Sequence, residues 1–332
     1  MRILSGQREK ERFSAGRHVN GVDKIAGTHT LNGMSVLEPG RHIWRASTCE
    51  SPWTLLPAAE LGDSQLLVAD SWRVIDAEVR GLPLHRARFL AGVDSYRNGP
   101  DPLSGAASHS NAAWHNSAAA FFDDATAALP PAGDWFPRVE MRTSAHIGSG
   151  NDTGTGTGTG TGTQFTLLVR PTPPIFDEVD VATAPYDPRT HPLVKGPNLD
   201  ALMGLRAAVA PSGAGEAIIL DANGIIVEGA YSGLLWWRGE TLVQAASALP
   251  RIPSVTVDLL VAAARANGVT VVDEHARPAD LAGCELWVLS ALHGLRVARQ
   301  WIDGPALAEP RHAALGRLWL QGSYASAVSG KR

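Results

Sequence analysis

Lysine is the residue this chain most lacks. Of 29 Lys/Arg residues in 332, only Lys10, Lys24, Lys195 and Lys331 are lysine. Three of them lie towards the ends, so Lys195, in His-Pro-Leu-Val-Lys-Gly-Pro-Asn, stands alone in the interior. Arginine replaces lysine wherever only a surface charge is wanted, but its guanidinium stays protonated and forms no Schiff base. A chain that uses arginine elsewhere and lysine here points to an imine at Lys195, against the alternative of chance in an Arg- and Ala-rich composition. Cysteine is scarce too: Cys49 and Cys284 are too few and too far apart for a disulfide framework or a zinc site. There is no basic excess, since the net charge is −4, which gives no support to a nucleic-acid partner or a polybasic membrane surface. No run approaches the ~20 apolar residues of a membrane span, and the polar opening residues lack the apolar core of a secretory signal. These absences lead to the expectation of a cytoplasmic protein with no metal, membrane or nucleic-acid partner.

The length suggests two domains. Residues 1–40 are polar, Gly-containing and without sustained periodicity, and are expected to be disordered or weakly attached, with Met34 a candidate true start. Residues 41–174 read as a small α/β domain: a strand in Ser64–Val74 entering a turn, and a helix from about Leu84 to Val93. Residues 149–163 are mostly Thr-Gly pairs, which leave little side chain to pack and predict a flexible loop between the strand-like runs Arg138–Arg142 and Gln164–Arg170. The repeat lacks the G-x-G-x-x-G spacing and is assigned no phosphate. Pro171–Pro174 closes this half.

Residues 175–332 alternate more regularly. Strands are expected at Glu216–Leu220, Ile225–Gly229, Gly233–Trp237 and Thr241–Val243, then a helix over Thr256–Ala266 ended by Asn267-Gly268. A short helix near Ala279–Ala282 and a hairpin of Glu285–Ser290 with Leu295–Asp303 follow. The pattern predicts a β-rich domain with outer helices, not the alternating βαβ of a nucleotide-binding sheet.

Five segments carry the chemistry: Val68-Ala-Asp-Ser with Leu84-His-Arg-Ala-Arg-Phe; Lys195-Gly-Pro-Asn198; Ile219-Leu-Asp-Ala-Asn-Gly-Ile-Ile-Val-Glu-Gly-Ala-Tyr-Ser-Gly; Ile252-Pro-Ser-Val-Thr-Val-Asp; and Ser290-Ala-Leu-His-Gly-Leu-Arg-Val. In this order, from about Leu66 to Gly304, the chain resembles the class IV (fold-type IV) pyridoxal-phosphate enzymes, which comprise branched-chain and D-amino-acid aminotransferases and aminodeoxychorismate lyase. The resemblance implies an α/β (α+β) fold: a small α/β N-terminal domain and a larger C-terminal domain of barrel-like β-structure with outer helices. It implies pyridoxal 5′-phosphate between them, and a homodimer whose neighbouring chain closes the pocket.

The resemblance also assigns roles. Arg88, in the family's His-x-x-Arg, would bind the cofactor phosphate, for which a planar charged fork is suited; the alternative is one more solvated arginine, and His85 reads as structural. Lys195 would hold the cofactor as an internal aldimine and, once freed, move the Cα proton. Glu228 would face the pyridine nitrogen and keep it protonated; the alternative is a carboxylate on an exposed hairpin edge. Val255 and Thr256 would cradle the phosphate with backbone N–H groups at a helix start, a position that also suits a plain N-cap. Ser290 would add a phosphate contact and the Ala291 N–H would reach a substrate carboxylate. His293 and Arg296 are candidates for recognising an acidic substrate, or simple loop and strand positions. Gly233, Ser254 and Val257 depart from the family's Asn, Gly and Arg, and Leu199 from the tyrosine that follows the asparagine in branched-chain enzymes. The Lys-x-x-Asn spacing looks more like the lyase and D-amino-acid branches.

The leading expectation is amino transfer between an amino acid and a 2-oxo acid. The alternatives are aminodeoxychorismate lyase, acting on an amino-chorismate to give 4-aminobenzoate and pyruvate, and a catalytically reduced cofactor-binding protein, supported by the three departures.

Overall fold

The computed structural model describes residues 28–31, 34–46, 51–98, 111–144 and 162–326. Thr28–Leu31 (β1) and Met34–Leu37 (β2) pair antiparallel. Gly40–Trp44 (β3), Trp53–Leu55 (β4) and Leu66–Ser71 (β5) follow, then Val74–Ile75 (β6) and Glu78–Arg80 (β7). Helices Leu82–Asn98 (α1) and Asn111–Ala127 (α2) precede Asp134–Trp135 (β8), Arg138–Ser144 (β9) and Gly162–Val169 (β10).

An antiparallel sheet, ordered β4-β3-β10-β9-β5, packs on α1 and α2. The shared core is aromatic: Trp44, Trp53, Trp72, Phe89, Phe121, Phe122 and Phe165 are all buried, with Phe121 and Phe165 stacked at 4.9 Å. Such rings bury large areas each and dominate core energetics. The segment expected to be weakly attached reaches this core before residue 40. Leu37 is 1% exposed and its N–H donates to the Ala128 carbonyl, so the attachment begins within 28–37. Four-residue strands are too short to show periodicity in sequence, which is why that expectation missed them. Residues 1–27 lie outside the described residues, as do 145–161, most of the expected Thr-Gly loop; β9 and β10 pair from Ser144↔Gly162 on either side of it.

The second half runs Glu178–Thr183 (β11), Leu199–Val209 (α3), Glu216–Leu220 (β12), Ile226–Gly229 (β13), Gly233–Arg238 (β14) and Thr241–Ala245 (β15). Val255–Ala266 (α4), Val271–Glu274 (β16), Glu285–Ser290 (β17), Gly294–Ile302 (β18), Ala313–Gln321 (α5) and Tyr324–Ser326 (β19) complete it. The curled eight-stranded sheet, β13-β12-β11-β18-β17-β14-β15-β16, buries both faces. Along β14, Leu234 and Trp236 enter one core while Leu235 and Trp237 enter the other, beneath α4 and α5; the two-residue period of a strand does this directly. Two connections depart from expectation: β11-α3-β12 and β15-α4-β16 join parallel strands, so two βαβ crossovers sit in the sheet, where β11 also runs parallel to β18 and the other pairs are antiparallel. Finally β19 pairs with β7, tying the chain's last described strand to the first half.

Among the described residues no helix is long and apolar enough to cross a membrane, and no group of three or more His, Cys, Asp or Glu is placed to hold a metal.

Candidate active site

Lys195 lies between β11 and α3, and its backbone is held by the other half of the molecule. The Ala69 N–H of β5 donates to the Lys195 carbonyl at 2.7 Å. Gly196 follows with φ +135°, and a Cβ there would sit 2.8 Å from Ala69 N and 2.9 Å from the Val68 backbone. Only glycine takes this conformation and this close approach, so the Lys-Gly pair is a docking requirement. Asn198 closes the loop, its Nδ2 donating to Thr190 Oγ1 at 2.8 Å and its Oδ1 accepting from the His191 N–H. The Lys195 amine is pushed down to about 8, first by burial and then by the Arg88 charge, with Asp70 and Glu228 opposing.

Glu228 is buried on β13, and burial pushes its carboxyl up to about 7 against the pull of Arg189. Arg189 donates to Glu228 Oε1 at 2.6 Å and is itself held by Asp187 and by the Pro250 carbonyl. Sequence reasoning missed Arg189, whose tie to Glu228 exists only once β13 has paired with β12.

Arg88 is aimed by a buried carboxylate. Asp70 is fully buried and accepts from Arg88 Nε and Nη2 at 2.7 and 2.8 Å, and it pairs with His85 Nδ1 at 2.8 Å. Burial raises the Asp70 pKa, but Arg88 and His85 outweigh it and hold the carboxyl below the usual range. The remaining arm of Arg88 donates to the Pro253 carbonyl, immediately before α4. There Ser254 is the N-cap, accepting from the Val257 N–H. The Val255 and Thr256 N–H groups have no acceptor among the described residues, the usual state of a first helical turn. Two free N–H groups, the helix dipole and an oriented arginine form an anion cradle. At the end of β17, Ser290 Oγ accepts from the His293 N–H, leaving its own hydrogen free to donate.

Arg88, Lys195, Glu228, Val255, Thr256, Ser290 and Ala291 all line one cleft of about 720 Å³, open mouth included. His293 and Arg296 line a larger chamber instead, about 3420 Å³ with its open side, that meets the cleft at Lys195, Tyr231, Ser290 and Ala291. His293 is held low, at about 4, by burial and by the Arg296 charge, and its Nδ1 accepts from the Phe176 N–H. Arg296 is buried, 3.2 Å from Glu216.

The three departures noted in the sequence meet at one point. A Cβ on Gly233 would lie 2.6 Å from Val257 Cγ2 and 2.9 Å from both Cβ and Oγ of Ser254. Ser254 and Val257 fill the space a side chain at position 233 would need, so the three form one packing solution beside the cradle. Chemically, the cleft offers a neutralisable amine, a buried acid opposite it, and an anion cradle at one end.

A family model described as amino-transferase class IV matches residues 67–301. No curated protein sequence matches the chain. Among solved structures, the chain is similar to the branched-chain amino acid aminotransferase from Thermobaculum terrenum in its PLP form (TM-score 0.61, 14% identity, covering 86% of this chain and 92% of that one). It is similar to the branched-chain aminotransferase of Thermoproteus uzoniensis with norvaline (0.60, 15%, 78% and 89%). It is also similar to a hypothetical aminotransferase from Mycobacterium tuberculosis in its PLP-bound form (0.58, 19%, 81% and 93%).

Proposed function

Because the chain belongs to the class IV aminotransferase family, we propose that it holds pyridoxal 5′-phosphate at Lys195 and transfers an amino group between an amino acid and a 2-oxo acid. The observation that carries this reading is the company of the lone interior lysine: one cleft joins its amine to Glu228, Arg88 and the two free N–H groups of α4. Those residues fit the cofactor. Arg88, the Val255 and Thr256 N–H groups and Ser290 would hold its phosphate, Glu228 would serve its ring nitrogen, and Lys195 would supply the amine that binds it covalently. When bound, the cofactor supplies an electrophilic carbon and a ring that accepts electrons from the substrate Cα.

With a pKa near 8, the Lys195 amine is partly unprotonated at neutral pH, as a nucleophile and proton carrier at Cα must be. Glu228, near 7, holds or releases a proton at the ring nitrogen, and the Arg189 guanidinium keeps its carboxylate form accessible in spite of burial. Ala291 offers its N–H where the cleft opens on the chamber, a place for the substrate carboxylate. The substrate is a small molecule, an amino acid or, in the lyase reading, an amino-chorismate, and the functional unit a homodimer. The lyase reading shares every one of these residues and is compatible with the two-residue gap between Lys195 and Asn198, a spacing that the D-amino-acid branch shares.

The test is visible absorption of the protein mixed with pyridoxal phosphate and a panel of L- and D-amino acids. A band lost in Lys195→Ala, which some donor converts to the pyridoxamine form with release of its 2-oxo acid, is expected. A band that persists with every donor while 4-aminobenzoate forms from aminodeoxychorismate selects the lyase. No band in the wild type sinks both.

A further inference from the structure

Arg80 is a charge taken partly out of water and given no counter-ion. It ends β7, where Tyr324 of β19 lies opposite and its ring sits 5.0 Å from the guanidinium carbon. Burial lowers the Arg80 pKa, Tyr324 works against that and the Arg73 charge with it; among the described residues no carboxylate acts on it. Two glycines make room for it. A Cβ on Gly294, at the start of β18, would come within 2.6 Å of Arg80 Nη1, so the guanidinium lies against the turn that leads back from Ser290. A Cβ on Gly81 would lie 2.9 Å from Val255 Cγ1, so the end of β7 is pressed onto the first turn of α4. The recess between these elements has Arg73, Arg80 and His85 on one side and shares Val255, Thr256 and Ala291 with the cleft. It therefore backs onto the anion cradle.

The cradle itself is close to neutral. Arg88 is matched by Asp70, Arg73 is matched by Asp134, and burial holds His85 uncharged against the pull of Asp70. Asp258 and Glu228 place further negative charge within reach of Arg88. A phosphate monoester brings about two negative charges at neutral pH, and the start of α4 sets only about half a positive charge against them. Inside a protein an unopposed charge reaches further than in water. We propose that Arg80 supplies the missing positive charge of the phosphate site, acting across the Val255–Thr256 turn through the field it sets up there. This adds a residue to the cradle and rests on the reading of the cleft as a pyridoxal-phosphate site.

The experiment titrates the cofactor-free full chain at low salt with three probes: pyridoxal 5′-phosphate, pyridoxal, which lacks the phosphate, and inorganic phosphate. Visible absorption follows the first two and calorimetry the third. Arg80→Met is expected to weaken pyridoxal phosphate and inorganic phosphate at least about tenfold, the scale of one charge acting at an effective dielectric constant of about 20. Pyridoxal affinity should stay unchanged. Arg80→Lys keeps the charge and should restore most of the loss, and added salt should shrink the gap between wild type and Arg80→Met. Unchanged phosphate affinity in Arg80→Met overturns the inference. So does an equal loss for pyridoxal, or a drop in urea stability that Arg80→Lys does not repair, either of which makes Arg80 a packing residue. Weakened inorganic phosphate in a protein with no visible band would leave Arg80 in an anion site and sink the cofactor reading alone. A band whose preference for the phosphorylated form survives Arg80→Met would sink the role of Arg80 alone.

Discussion

Lys195→Met should make the cofactor-free protein more stable. The amine ionises near 8 in the fold and near 10.5 when free, mainly because burial penalises its charge. Each tenfold in ionisation is worth about 1.4 kcal/mol, so a protonated Lys195 costs the empty fold about 3 kcal/mol. The cost is fully present below about pH 8, where the lysine is charged folded and unfolded alike. Between pH 8 and 10.5 the unfolded chain binds the extra proton, so stability rises with pH, and above 10.5 the cost is gone. Methionine keeps the length of the side chain without its charge. Urea denaturation of the two apoproteins should show the variant ahead by about 3 kcal/mol at pH 7, with the gap closing near pH 10.5. A variant no more stable than wild type at pH 7, or a gap independent of pH, would refute the claim that burial of the charge sets the amine's pKa. Cofactor binding should reverse the order, since only the wild type is then stabilised through position 195.

Gly196→Ala pushes a methyl into the β5 backbone at a φ of +135°; pyridoxal phosphate titration should show affinity falling tenfold or more, and urea denaturation a loss of about 1–3 kcal/mol. Gly233→Ala should cost about 1–3 kcal/mol through overpacking against Val257 and Ser254, and adding Ser254→Gly with Val257→Ala should recover much of it in a double-mutant cycle, whereas simple additivity would contradict the shared contact. Asp70→Asn leaves the Arg88 charge buried without its partner, which should cost about 3–5 kcal/mol and weaken cofactor binding. Because the Asp70 pKa is held below its ordinary value, its contribution is present above the usual carboxylate range and lost on acidification, so the acid limb of the thermal-denaturation profile should flatten in the variant.

What was legible beforehand was what lies close together in sequence. Glu216–Leu220, the Asp221–Gly224 turn and the α4 boundary could be read because strand period, turn chemistry and capping are local signals. The cleft residues could be read because each sits in a short motif. Arg189 and the arginines Arg41, Arg138 and Arg142 around Glu140 were not, because their partners come from distant segments: Arg41 of β3 and Glu140 of β9 meet only across β10, and Arg189, between β11 and α3, meets Glu228 of β13. Arg138-x-Glu140-x-Arg142, three charges on one strand face, reads in sequence as an ordinary solvated face, and only the fold shows that Glu140 and Arg142 are buried. Gly233, Ser254 and Val257 looked like independent losses because spacing cannot show that three positions touch. Helices α2, α3 and α5 went unread.

The bond from the Ala69 N–H to the Lys195 carbonyl has a mechanical meaning. It joins the lysine's loop, which with Glu228 and the α4 start belongs to the large half, to β5 of the small half. Arg88 and Asp70, the charges of the small half, act on the Lys195 amine, so any drift of one half against the other detunes the nucleophile. A molecule gripped at once by Arg88 on α1 and by Lys195, Glu228 and the α4 start acts as a rivet through that joint. Its loss should be felt first as slackness between the halves, well before either core begins to melt.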